Sequence, residues 1–235
     1  MGTILDCLRI HSQPRLVADL AVCDNIAQKV RDITMNNACE MRLYDESNDR
    51  LYINPAERQR LIEAAERTAD LQAGTLCLTL LYTGCRISEA LELTVFSIQS
   101  ESRLISVRCL KKRNRHVIRE IPVPPALVAR LEQVHSVSLR QKAGAHSPWL
   151  WASHGSRINR STAYRWVKQV MQESGIAGRH ASPKGLRHGY GIHAIRSGIP
   201  LHMLRKWMGH ASMTTTAIYA SAIGREEIEL ADKMW

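Results

Sequence analysis

From residue 54 onward, helix starts and stops recur at short intervals, and one stretch breaks the rhythm. Asn54-Pro55-Ala56-Glu57 opens the series. Asn54 can cap, Pro55 suits a first helical position that needs no N–H donor, and Glu57 can close a capping box. Leu61, Ile62, Ala65 and Ala69 then share one apolar face. Thr75 to Tyr82 reads as a second, more buried helix with Gly84 as its stop, and Ser88 to Leu93 opens a third. Later, Ala126 to Leu139 is helical. Ser161 is expected to cap a helix whose Ala163, Trp166, Val167, Val170 and Met171 recur at i, i+3, i+4, i+7 and i+8, ended by Gly175. Ser182-Pro183 starts another, ended by Gly198, and Pro200 to Trp207 is one more. Ser212 is expected to cap the helical turns that carry Tyr219. The break lies in the middle. Leu104 to Cys109 alternates like a strand, and Glu120 to Val123 returns as its partner, with Pro122 favouring an edge. Trp149-Leu150-Trp151 is a short extended piece. Such punctuation predicts a mainly α chain with a small antiparallel β-sheet, an α+β fold.

The first 50 residues are weakly patterned. Leu16, Val17, Leu20, Ala21, Ile26 and Val30 predict one or two helices after Pro14, and Asp45 to Arg50 reads as a polar linker. The expected division is therefore a short N-terminal segment, 1–50, and a domain over 51–235. Its tail, 222–235, is amphipathic through Ile223, Ile228, Leu230 and Met234.

Charge narrows the partner. The 235 residues hold 32 Lys and Arg against 22 Asp and Glu, a net charge of +10. That excess points to a polyanion. Six cysteines form no Cys-x-x-Cys pair and no Cys/His group of zinc spacing, so no metal or other cofactor is expected, and the thiols suit a reducing compartment. Met1 to Ile10 carries Asp6 and Arg9 without a long apolar run, so no signal peptide is expected. The longest apolar run, Leu76 to Leu81, is too short to span a bilayer. A cytoplasmic protein is the expectation.

Chemistry gathers near the C-terminal end. Tyr219 is preceded by Gly209-His210, by Arg187 and by Lys184. Arg86 stands far upstream in Thr83-Gly84-Cys85-Arg86-Ile87-Ser88-Glu89. One oxygen nucleophile among fixed cations is what phosphodiester cleavage without metal requires. Tyrosine is a poor nucleophile near neutrality, with an ordinary pKa of ~10. Nearby cations are expected to favour its phenolate and to stabilise charge on phosphorus.

Four fragments in this order resemble the tyrosine recombinase (phage integrase) family: Thr83 to Leu91, Pro183 to Gly189 (Pro-Lys-Gly-Leu-Arg-His-Gly), Trp207 to His210, and Thr214 to Tyr219. Arg187 to His210 is 23 positions and His210 to Tyr219 is 9, as in that family. The resemblance covers about residues 54–235 and implies an integrase-type catalytic domain. It implies that Tyr219 attacks a DNA phosphate to give a 3′-phosphotyrosyl bond and a free 5′-hydroxyl. It implies that Arg86 and Arg187 grip the nonbridging oxygens through their planar, permanently charged forks, that His210 bonds the phosphate, and that Glu89 orients Arg86. The cationic stretch Lys111-Lys112-Arg113-Asn114-Arg115-His116 matches the family's β-hairpin lysine, the general acid. Its register is open between Lys111 and Lys112, with Lys111 preferred. Lys112, Arg113 and Arg115, and a basic helix around Arg157, Arg160, Arg165 and Lys168, are the expected DNA-backbone contacts.

This chain departs from the family twice. Lys184 stands where the family most often has His, and a lysine there can touch phosphate but does not exchange protons near neutral pH. Residues 1–50 are short for the separate helical domain that usually precedes the catalytic one, so a minimal member is expected. The family further implies double-stranded DNA as partner, a homotetramer on paired sites, possible help from a DNA-bending accessory protein, and nucleoid association when bound. A type IB-like topoisomerase and a DNA-binding regulator without catalysis are the competing readings.

Plainer roles compete for single residues. His188 reads as a structural histidine, since the family gives it no direct chemical role. Trp166 and Trp207 fall at core spacing. Gly185, Gly189 and Gly191 follow no strand and fit close helix packing better than a dinucleotide loop.

Overall fold

The structure, a computed structural model, describes residues 42–110, 117–144 and 147–220, together with Asp232 and Met234. The chain divides into two units, Met1–Arg42 and Leu43–Trp235. The helices expected after Pro14, the cationic stretch 111–116 with Lys111, Lys112, Arg113 and Arg115, and the tail beyond residue 220, save Asp232 and Met234, lie outside the described residues.

The second unit starts with a turn rather than the expected linker. Leu51 N–H donates to Leu43 O at 2.7 Å, Tyr44 bridges Arg50, and the Asp45 carboxylate accepts from the backbone of Ser47 and Asp49. The polar composition of 45–50 therefore reflects an Asx-type turn. Helix α1 (Pro55–Arg67) begins as its sequence requires, with the Asn54–Glu57 capping box formed in both directions. Arg50 fastens the turn to that helix, its guanidinium donating to both Glu57 oxygens at 2.5 Å.

Helix α2 (Leu71–Thr83) is the centre of the unit. Every residue from Ala73 to Leu81 is buried. Helices α1, α4 (Pro125–His135), α6 (Arg160–Glu173) and α7 (Pro183–Arg196) all pack on it. Each fully buried leucine there, such as Leu76 or Leu80, contributes about 2 kcal/mol relative to exposure. Gly84 ends α2 in the left-handed conformation at φ 59°, and it hands the chain to α3 (Ile87–Ala90), a single turn with Arg86 at its N-cap position and the Glu89 carboxylate accepting from the Arg86 N–H.

A three-stranded antiparallel sheet follows, in the order β1 (Ile98–Gln99), β2 (Leu104–Arg108), β3 (Ile118–Pro122). Val107 pairs with Arg119 and Leu104 with Pro122, which sits on the outer strand as proline must. Strand β1 went unforeseen because two residues are too few to show alternation. The helix expected over 126–139 is broken by Ser136, at φ 47°, into α4 and α5 (Val137–Lys142). A small ribbon pairs β4 (Ala152–Ser153) with β5 (Ser156–Arg157). Helix α6 is capped by Asn159, whose side-chain Oδ1 accepts from Thr162 N–H and Ser161 Oγ–H, so Ser161 is not the cap. Helices α8 (Leu201–Met208) and α9 (Met213–Ala217) are the last elements among the described residues. Ser212 caps α9 as expected, while Tyr219 lies just past its end. No helix among the described residues is long and apolar enough to cross a membrane.

Candidate active site

Arg187 gathers the distant fragments. Helix α7 starts at the Ser182 cap and carries Arg187 inward, where it is 6% exposed. Its Nη1 donates to Gly84 O at 2.6 Å and its Nη2 to Met208 O at 2.8 Å. Those carbonyls lie two residues before Arg86 and two before His210. One guanidinium thus ties the turn after α2 to the end of α8. Burial, with Arg86 close by, pulls the Arg187 pKa down to about 10, still charged near neutrality.

Arg86 stays in reach of solvent, its side chain 30% exposed. Its backbone N–H and its Nη1 both donate to Glu89, at 2.9 and 3.1 Å. Glu89 is buried at 1% and is also held by Arg119, whose Nη2 lies 2.6 Å from Oε2. Burial alone would raise the Glu89 carboxyl; the Arg119 contact and the Arg86 backbone offset it and hold the pKa below its usual value.

His210 follows Gly209, the left-handed stop of α8. Its Nδ1 sits 2.9 Å from Thr216 Oγ1, on α9, and its ring stacks on Tyr219 with an interplanar angle of 13°. Tyr219 has no exposed surface, and its hydroxyl lies 3.2 Å from His188 Nδ1. Gly191 makes room for it, since a Cβ at that position would lie 2.6 Å from the tyrosine ring. Burial lifts the Tyr219 phenol to about 12 although Arg187 and Arg86 pull the other way. This corrects the expectation that cations favour the phenolate: desolvation outweighs them while the ring is enclosed.

Both imidazoles are pushed down to about 3, by burial first, then by Lys184 and Arg187 at His188 and by Arg187 and Arg86 at His210. Neither Nε2 meets a hydrogen-bond partner among the described residues. The unfolded chain binds a proton on each histidine near 6.5, whereas the folded chain resists until about 3. More protons are then bound unfolded, so stability is full above about 6.5 and declines as pH falls toward 3. Denaturant melts of wild type, His188→Gln and His210→Gln should show a shallower acid loss in each variant; equal slopes would count against these buried neutral rings.

The remaining sequence candidates divide. Lys184 is exposed on the first turn of α7, three residues before Arg187 and four before His188. Arg160 and Arg165 are exposed on α6. Arg157 is not on that helix: it lies on β5, ion-paired to Glu92 and stacked over Trp149, so its charge is already partnered. Lys168 is half-buried and donates to Ala181 O at 2.9 Å. These two do not form part of a free basic helix face, because an ion pair and a carbonyl hold them. Trp166 and Trp207 pack against the core, while Gly185 abuts His180 O in the turn leading into α7 and Gly189 abuts Ile53, close approaches to loop backbone rather than the expected helix packing.

Two contacts were not anticipated. Nothing in the spacing tied His188 to Tyr219, 31 positions apart. Arg119 had a visible signal: the alternation that turns Ile121 inward turns Arg119 inward too, and a core-facing arginine calls for a buried partner.

A helical core with a three-stranded sheet at one side and this cluster of side chains where α3, α7 and α8 meet is the integrase-type tyrosine recombinase catalytic fold. The sequence profile of the phage integrase family matches residues 52–224, and the chain belongs to that family. Tyrosine recombinase XerC of Roseiflexus castenholzii is 30% identical over 174 residues, 71% of this chain and 54% of that protein. Tyrosine recombinase XerD of Mycobacterium tuberculosis is 34% identical over 143 residues, 60% of this chain and 45% of that protein. The chain spans about half the length of the curated relatives it matches. Among solved structures, the XerA recombinase crystal structure superposes with a TM-score of 0.66 at 26% identity, covering 78% of this chain and 64% of that one. The XerH recombinase bound to its difH substrate superposes at 0.64 with 18% identity, covering 82% and 59%, a likeness of fold.

Proposed function

We propose that this chain is a site-specific DNA recombinase that breaks and rejoins duplex DNA through a 3′-phosphotyrosyl intermediate. The observation that carries the reading is the convergence of Arg187 with the Arg86 turn, the His210 turn and Tyr219. In the proposed reaction the Tyr219 oxygen bonds to phosphorus and gives up its proton, and the 5′-oxygen leaves and takes one. Arg86 and Arg187 hold the nonbridging oxygens and His210 donates to one of them, stabilising the charge of the transition state. Lys184, at the mouth of α7, contacts phosphate. Lys111 supplies the leaving-group proton, with Lys112 as the alternative register. Attack by a 5′-hydroxyl of a second strand reverses the step, so bond energy is conserved and no ATP is required. Because Tyr219 has no exposed surface, the turn at 218–220 must shift before a DNA phosphate can meet it.

Double-stranded DNA is the proposed partner, held by phosphate contacts that include Arg160 and Arg165 and that weaken steeply with salt. Exchange between two duplexes needs four active sites, so a homotetramer on paired sites is proposed, with an accessory DNA-bending protein where the site requires it and nucleoid association when bound. The N-terminal segment, expected over 1–50 from the sequence, is proposed to end ahead of Leu43, with the catalytic unit running from there to residue 235.

A pool of nicked duplexes with randomised flanks tests the reading. Cleavage beside a nick releases a short fragment and traps the protein on DNA, and sequencing the trapped strands yields the preferred duplex. Exchange between two such duplexes supports recombination. Relaxation of supercoiled plasmid without exchange would favour a topoisomerase, and binding without any trapped strand would favour a regulator.

A further inference from the structure

Arg119 is a buried cation that the chemistry above does not use. It sits on β3, and its guanidinium meets three other elements. Nη2 and Nη1 donate to the two Glu89 oxygens at 2.6 and 3.4 Å. Nη1 also donates to Cys109 Sγ at 2.9 Å, just past β2, and Nε donates to Trp207 O at 2.7 Å on α8. A Cβ on Gly209 would lie 3.0 Å from Nη1, so the stop before His210 rests against the same group. Side chains of both Glu89 and Arg119 are almost wholly buried, at 1% and 3%.

The charges explain why two arginines share one carboxylate. A buried carboxylate with Arg86 as its single cation would neutralise Arg86 and draw it inward, because such a pair is strong in a poorly solvated site. Here the Arg119 fork takes up both Glu89 oxygens. Arg86 keeps one side-chain contact at 3.1 Å and leaves its side chain 30% exposed. The trio of Arg86, Glu89 and Arg119 retains one net positive charge, and the partly exposed member is Arg86.

We propose that Arg119 is a positioning residue: by taking up the charge of Glu89 it keeps Arg86 free to grip the scissile phosphate, an inference that rests on the strand-cleavage reading. Removing the Arg119 charge turns Glu89 wholly onto Arg86. Removing the Glu89 charge as well releases Arg86 again, and glutamine still serves the cap. A residue that serves only the fold would show its loss and its rescue in the melting temperature, whereas here the adduct-formation rate of the folded protein is what falls and recovers.

The test is single-turnover formation of the covalent adduct on the nicked duplex recovered from the randomised pool, with the full chain. Arg119→Met should slow it about 100-fold, the scale of a misplaced catalytic group, while the dissociation constant for that duplex moves less than about threefold because one phosphate contact among many is affected. Glu89→Gln added to Arg119→Met should recover about tenfold of the rate, a coupling of the size that contacting residues show. Additive losses, or a parallel loss of DNA affinity, overturn the inference. If Arg119→Met does not melt cooperatively, Arg119→Lys takes its place: lysine keeps the charge, so a loss below about tenfold with no gain from Glu89→Gln is expected, and a larger loss that Glu89→Gln leaves unrepaired overturns it. A wild-type chain that forms no Tyr219-dependent adduct overturns both readings; cleavage by wild type without the rescue overturns this one alone.

Discussion

Tyr219→Phe should abolish the covalent adduct while DNA binding persists. Phenylalanine keeps the ring that stacks on His210 and fills the space left by Gly191. What goes is one oxygen and its contact with His188 Nδ1. Losing that neutral hydrogen bond costs about 1 kcal/mol, so the fold should survive. The chemical loss is of another order: without a nucleophile, adduct formation should fall by about 10⁴-fold or more, as in other enzymes stripped of theirs. Denaturing gels of the trapped strand measure the first quantity, and filter binding to the same duplex measures affinity. As much adduct from the phenylalanine variant as from wild type would place the nucleophile elsewhere.

Arg187 should show losses of two kinds. Its alanine variant strips the buried Gly84 and Met208 carbonyls of their donors, at about 1–3 kcal/mol for each unsatisfied group, so the melting temperature should drop clearly. Arg187→Lys separates stability from chemistry. Lysine retains a cation but lacks the planar fork that spans two carbonyls while facing a phosphate. It should fold, with a single-turnover cleavage rate lower by about 10²–10³-fold, the usual effect of removing one donor that stabilises a transition-state oxyanion. A lysine variant cleaving at the wild-type rate would remove Arg187 from the proposed machinery.

The fold was legible where local chemistry decides it. The Asn54–Glu57 capping box, the Ser182 and Ser212 caps and the Gly84 stop all act within a few residues, and each of these formed. Errors fell where neighbours compete. Asn159 and Ser161 are both good caps, and the backbone at Asn159 won. Ser136 adopts a left-handed φ that nothing in an apolar repeat announces. At the site, residue types and order showed which groups matter, but not their surroundings. The His188 contact with Tyr219 and the Arg119 fork on Glu89 join segments 31 and 30 positions apart. No periodicity encodes such a pairing, and the phenol was misjudged because counting cations omits the cost of drying the ring.

The turn at 43–50 has a practical consequence for anyone trimming this polypeptide. Leu43 is buried, Asp45 holds Arg179 at 2.7 Å, and Arg50 clasps Glu57, which His180 also approaches at 3.1 Å. An enzyme fragment begun at residue 51 would therefore lose the strap that anchors the approach to α7, the helix presenting Lys184, Arg187 and His188. The natural place to cut lies ahead of Leu43.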